Sequence, residues 1–205
     1  MCTLFSNAQT ANAVETFFAA LSDLARPPQL PNNGFTPGRE IPVLLSGPRR
    51  VLTSRSWGWM KSDGGTVANA RSETVAAKAF FSPQVDRHRC VIPADGFYEF
   101  RRSKRTLPPR RFTLRSTTLF GLAGIMNDAE HVVLLTTAPN ACVRPIHNRM
   151  PVILPLSALD GWLNPQIPFR SLSGTLFEPW PEADTLVSAP QSSSTPVQAE
   201  LFDPR

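Results

Sequence analysis

Only three of the 205 residues are cysteine, and Cys2, Cys90 and Cys142 include no CxxC pair. An odd, scattered set argues against a disulfide framework and against a standard zinc site. Long apolar runs are missing too: none approaches the roughly 18 residues that span a bilayer. The first residues carry Asn7, Thr10 and Glu15 where a secretory signal would have a basic and then an apolar segment. No internal repeat is present. These absences predict a cytoplasmic protein that needs no metal, with one substantial core or at most two small ones.

Charge is unevenly spread. Lysine and arginine number 21 against 16 acids, a net charge of +5, which favours a polyanionic partner. Arg101, Arg102, Lys104, Arg105, Arg110, Arg111 and Arg115 fall in a stretch, 101–115, that contains no acid. Such a run can track phosphates, or it can be a solvated hairpin that keeps an edge strand from aggregating. Both readings stand on sequence alone.

Asn12 followed by Glu15 resembles a capping box, and Val14, Phe17, Phe18, Leu21 and Leu24 recur at helical spacing, which predicts a helix over 12–24. Helical pieces are also predicted over 71–81 and 157–163. Strand-type runs recur at 41–46, 51–59, 90–93, 96–101, 111–115, 118–126, 131–137 and 151–154, with turn residues between them. The expected fold is therefore α+β: a single domain around a curved, barrel-like, mainly antiparallel sheet flanked by short helices. The domain is expected over 1–187. A tail rich in Ser and Pro follows over 188–205.

The opening Met1-Cys2-Thr3-Leu4-Phe5 raises a chemical question. If Met1 is removed, Cys2 carries a free amine with a reference pKa near 8 next to a thiol near 8.5. That pair can condense with an aldehyde and close a five-membered thiazolidine, which an internal cysteine cannot do. The alternative is a small buried residue leading into a first strand. Three further polar clusters interrupt apolar surroundings: Asn69, Arg71, Glu73 and Thr74; Asp95 and Glu99; His147 and Arg149. Asn69 can cap a helix, Glu99 can sit on the wet face of a strand or be buried with a raised pKa, and His147 can be a satisfied core histidine. Cys90 and Cys142 read as structural.

In order along the chain, "MC", "WGW" at 57–59, "NARSET" at 69–74, "RHRCVIPADGFYEF" at 87–100, "LAGI" at 122–125, "LTTAPN" at 135–140 and "PIHNRMPVIL" at 145–154 resemble the pattern of the SRAP family, the SOS response-associated peptidases or abasic-site processing proteins. The resemblance implies a sensor of abasic sites in single-stranded DNA, active in the DNA damage response. Its mature N-terminal cysteine forms a thiazolidine crosslink with the ring-opened sugar, and peptidase-like autoprocessing and lyase activity accompany it. It places the catalytic residues on Cys2, Asn69, Glu99 and His147. DNA contacts are expected from Arg71, Arg149, Trp59, Pro37, Arg101 and Arg102, with Arg71 and Arg149 as phosphate clamps and Trp59 either stacking on bases or packing in the core. No cofactor is implied, a monomer is the default, and damage would bring the protein to the nucleoid.

The chain departs from the family pattern in places. Thr3 and Leu4 stand where a glycine and an arginine are usual. Asn33 falls one place early before Gly34-Phe35-Thr36-Pro37-Gly38, and the segment between Trp59 and Asn69 is short. Two other functions are compatible with the same residues: a thiol peptidase pairing Cys2 with His147, and a non-catalytic single-strand binding module.

Overall fold

The computed structural model describes residues 2–101, 107–172 and 174–188. In chain order the strands are β1 (Leu4–Asn7), β2 (Ala20–Ser22), β3 (Asn32–Phe35), β4 (Glu40–Leu45), β5 (Arg50–Ser56), β6 (Trp59–Met60), β7 (Thr66–Val67), β8 (Asn69–Arg71), β9 (Arg89–Ala94), β10 (Gly96–Glu99), β11 (Arg110–Leu114), β12 (Phe120–Met126), β13 (Val132–Thr137), β14 (Met150–Pro151), β15 (Ile153–Leu154) and β16 (Thr185–Val187). Among the described residues two α-helices accompany them, α1 (Ala11–Phe18) and α2 (Leu159–Leu163).

One sheet has the order β16-β11-β10-β1-β3, and a larger one runs β14-β13-β12-β9-β4-β5-β2, with β15 on β12 and β8 on β13. Among the described pairs only β8–β13, β2–β5 and the isolated Trp57–Val132 bridge are parallel. The fold is thus the expected α+β arrangement of curved, mainly antiparallel sheet with short helices, and the sheet does not close. A corner between β9 and β10 carries the chain from the larger sheet to the smaller across one residue, Asp95. Its carboxylate accepts from Ser6 Oγ at 2.6 Å, the Ala8 N–H at 2.8 Å and the Arg111 guanidinium at 2.8 Å. At Gly96 a Cβ would lie 2.7 Å from Arg111 Nε, so a larger residue there would displace the guanidinium that holds Asp95.

Side chains alternate across the larger sheet and build two cores. Between the sheets lie Phe5, Phe35, Phe97 and Phe112 from the smaller sheet against Ile41, Ile92, Leu122 and Leu134 from the larger. On the other face, Val91, Ala123, Val133 and Leu135 meet Val14 and Phe18 of α1 and Leu159 and Trp162 of α2. The Trp57-Gly58-Trp59 motif spans both: Trp57 is buried between the sheets and Trp59 in the helix-side core. Gly58 makes this possible with φ of +123°, where a Cβ would also press on Thr66 at 2.5 Å. No described helix is long and apolar enough to cross a membrane.

Two helix expectations are corrected. The first helix stops at Phe18, with Ala19 at φ of 50°, and the chain continues as β2 along β5. Leu21 and Leu24 are exposed, so they do not extend its apolar face. The N-cap is Thr10, which accepts from the Ala13 N–H, and Glu15 accepts from the Ser22 N–H beyond the helix. Over 71–81 there is only a 3-10 turn, Val75–Ala77, within a series of tight turns. Asn69 caps no helix; it lies in β8, opposite Leu134.

Candidate active site

The pairing of β1 with β10 aligns Leu4 with Tyr98 and Phe5 with Phe97, so the head of the chain comes to the end of β10, where Glu99 stands. Phe5 pins this strand, stacked on Phe35 at 4.8 Å and tilted against Trp57 at 5.4 Å. Burying such a ring contributes about 2–3 kcal/mol, and all four residues of β1 are buried, so the ring shares the work of ordering the strand with Leu4, Ser6 and Asn7. Cys2 is fully buried in the core between the sheets, its Sγ donating to the Leu4 carbonyl at 3.6 Å. Burial holds the thiol far above its usual range, and the charge of Glu99 pushes in the same direction.

Glu99 is 2% exposed, which excludes the wet-face reading. Desolvation pushes its carboxyl up to about 8. His147 Nδ1 lies 3.7 Å from Glu99 Oε2, 3.1 Å from the Arg149 main-chain nitrogen and 3.2 Å from the Arg149 carbonyl, so one ring nitrogen faces both the carboxyl and the backbone. A loop over 140–147 sets the imidazole: the Val143 N–H donates to Asn140 Oδ1, and the Ile146 and His147 N–H groups to the Val143 carbonyl. Asn140 is itself fastened through Nδ2 to the Trp180 carbonyl and Thr185 Oγ1. Sequence reasoning did not single it out, although its place in "LTTAPN", seven residues before His147, was the available signal.

Asn69 joins this group through the sheet. Its register partner Leu134 faces the core that holds Cys2, and Ala70 with its partner Leu135 faces the other. Alternation therefore turns Asn69 toward the Cys2 side. The residue is 7% exposed, and neither amide atom has a hydrogen-bond partner among the described residues. A buried orphan amide in a native fold calls for a ligand or a functional reason.

Beside it, Arg71 is exposed, and Arg149 grips Glu73 in a two-pronged pair, Nη1–Oε1 at 2.7 Å and Nη2–Oε2 at 2.8 Å. Pro37 is half-buried in the turn between β3 and β4, and Arg101 is half-buried just beyond β10. Arg102 lies outside the described residues, as do Lys104 and Arg105. In the rest of the basic run, Arg111 is committed to Asp95 and Arg110 donates to the Ser188 carbonyl at 3.3 Å. Of the two readings of Trp59, the structure has it packed in the core: it is 2% exposed, donates Nε1–H to the His131 carbonyl, and has Phe80 and Phe81 against its rings. Leu4, at the position where arginine is usual, is buried. No cluster of three potential metal ligands occurs among the described residues.

The site thus sets a thiol at the head of the first strand, enclosed between two sheets of an α+β fold beside a buried carboxyl and an imidazole. The profile of the SOS response associated peptidase (SRAP) family matches residues 1–196, and the chain belongs to that family. It is 33% identical over 196 residues to the abasic site processing protein YoaM of Bacillus subtilis, covering 84% of this chain and 85% of that one. Identity is 25% to the abasic site processing protein YedK of Escherichia coli, over 84% of both chains. A crystal structure of a Bordetella bronchiseptica protein superposes with a TM-score of 0.77 at 23% identity, covering 93% of this chain and 100% of that one. One from Bacteroides thetaiotaomicron gives 0.73 at 22%, covering 91% and 90%. These two show the shared fold.

Proposed function

We propose that this protein processes abasic sites in single-stranded DNA by linking the ring-opened sugar covalently to Cys2 as a thiazolidine, shielding the lesion during the DNA damage response. The reading draws on the names of the relatives, abasic site processing proteins, and on one observation: Cys2 shares a dry pocket with a carboxyl raised to about 8 and an imidazole 3.7 Å from it. The reaction requires Met1 to be removed so that Cys2 carries the amine.

Because the thiol is held protonated, the amine is the first nucleophile. Its lone pair attacks the aldehyde carbon and gives a carbinolamine, and loss of water gives the imine. Both proton movements suit a carboxyl that holds and releases a proton near neutral pH. The thiol then adds to the imine carbon, its proton passing to the nitrogen as the S–C bond closes the ring. Asn69, with both amide atoms to offer, orients the amine and the sugar. His147 protonates the sugar ring oxygen, and in the reverse direction it reopens the link. Arg71 and Arg149 hold the flanking phosphates, with Arg101, Arg102 and Pro37 along the strand.

The same geometry weighs against a thiol peptidase. Such an enzyme needs a thiolate with a lowered pKa next to its imidazole, whereas burial and Glu99 both push this thiol upward.

The test incubates the protein with single-stranded oligonucleotides that carry or lack an abasic site, followed by a denaturing gel. A heat-stable shifted band forms only with the abasic strand, and Cys2→Ala abolishes it. A band that survives Cys2→Ala, or that forms with the intact strand, refutes the reading.

A further inference from the structure

Arg149 is held in place on its inner side by the protein itself: Nη2 donates to the Thr136 carbonyl at 2.5 Å and Nε to Thr136 Oγ1 at 3.4 Å. Its outer fork, Nη1 and Nη2, is filled by the two oxygens of Glu73. The two ends of this pair differ in enclosure, since the Arg149 side chain is 13% exposed and that of Glu73 is 48% exposed. Releasing the pair therefore means a carboxylate swinging into water while the guanidinium stays anchored. Arg71 acts on the same carboxylate: the Glu73 carboxyl is held below its usual range, first by the hydrogen bonds from Arg149, with the charges of Arg149 and Arg71 adding to the effect.

We propose that Glu73 is a placeholder in a phosphodiester subsite formed by Arg149 and Arg71, so that the DNA backbone binds by exchange, one phosphate displacing one carboxylate from a fork that is already positioned. A planar carboxylate and a phosphate present the same two-oxygen edge to a guanidinium, which is why one can stand in for the other. The placeholder keeps two neighbouring guanidinium groups compensated when no strand is present. It also lowers affinity for every strand alike, because each must first expel the acid.

This inference rests on the single-strand reading above, and its test uses strands without a lesion so that the two can fail separately. Binding of an unmodified fluorescent oligonucleotide is measured by anisotropy at low salt for the wild type, Glu73→Gln, Glu73→Ala and the double variant Glu73→Gln with Arg149→Gln, with circular dichroism confirming that each is folded. Both single variants bind roughly three- to tenfold more tightly than the wild type, and the double variant loses the gain. Equal or weaker binding by the folded single variants overturns the proposal. So does a gain that persists without Arg149, or no binding of the intact strand by any of the proteins. Crosslinking to an abasic strand at saturating concentration is scored separately and bears only on the covalent reading.

Discussion

Asp95 and Glu99 stand at the two ends of β10, both buried, and they are treated in opposite ways. Asp95 receives a hydroxyl, a backbone N–H and a guanidinium, so its charge is matched where the chain turns from one sheet to the other. Glu99 faces an imidazole and a thiol in a desolvated pocket, and its carboxyl is pushed up to about 8. The difference teaches that depth of burial does not decide a carboxyl's task. An acid given strong donors becomes a fastener, and one placed in dry surroundings becomes a carrier of protons.

Three perturbations test that contrast. Removing the fastener has the largest effect: Asp95→Ala strips Arg111, Ser6 and Ala8 of their acceptor and lowers stability by about 2–4 kcal/mol in denaturant unfolding. Glu99→Gln leaves the folded state at least as stable at pH 8 yet slows crosslinking by about a hundredfold, the usual scale for losing a general acid or base. If the stability losses were reversed between the two variants, the contrast would be broken.

The effect that is smallest over any one pH unit is a slope. Below about 4.5 Glu99 is protonated in folded and unfolded chains alike, and between there and about 8 only the folded chain keeps the proton. A raised folded pKa on an acid therefore costs stability as pH climbs through this window, by at most about 1.4 kcal/mol per pH unit. Thermal melts of the wild type against Glu99→Gln isolate the slope, which the amide variant should lack.

Much of this was legible in the chain. The strands over 41–46, 90–93, 118–126 and 131–137 are found as read because β-branched and apolar residues there fill both faces of a sheet with a core on each side. The position of Glu99 was not legible, since Phe97, Tyr98 and Phe100 show no alternation. In the structure every residue of β10 is buried, with Arg111 lying 6.0 Å over the Tyr98 ring and covering what would be the wet face. The expected helix over 71–81 failed for a related reason. The Ala-rich segment has the propensity, but parallel pairing of Asn69–Arg71 with β13 is a long-range contact that local pattern does not encode. The fork between Glu73 and Arg149 joins residues 76 positions apart and was invisible for the same cause.

Neighbouring residues of the larger sheet, Val132 and Val133 or Leu134 and Leu135, enter opposite cores. Neither layer can loosen without withdrawing support from the other, so the molecule should melt in one step. Cys2 would then gain no reactivity from partial breathing, and a small alkylating reagent should modify the half-exposed Cys142 well before it reaches the first strand.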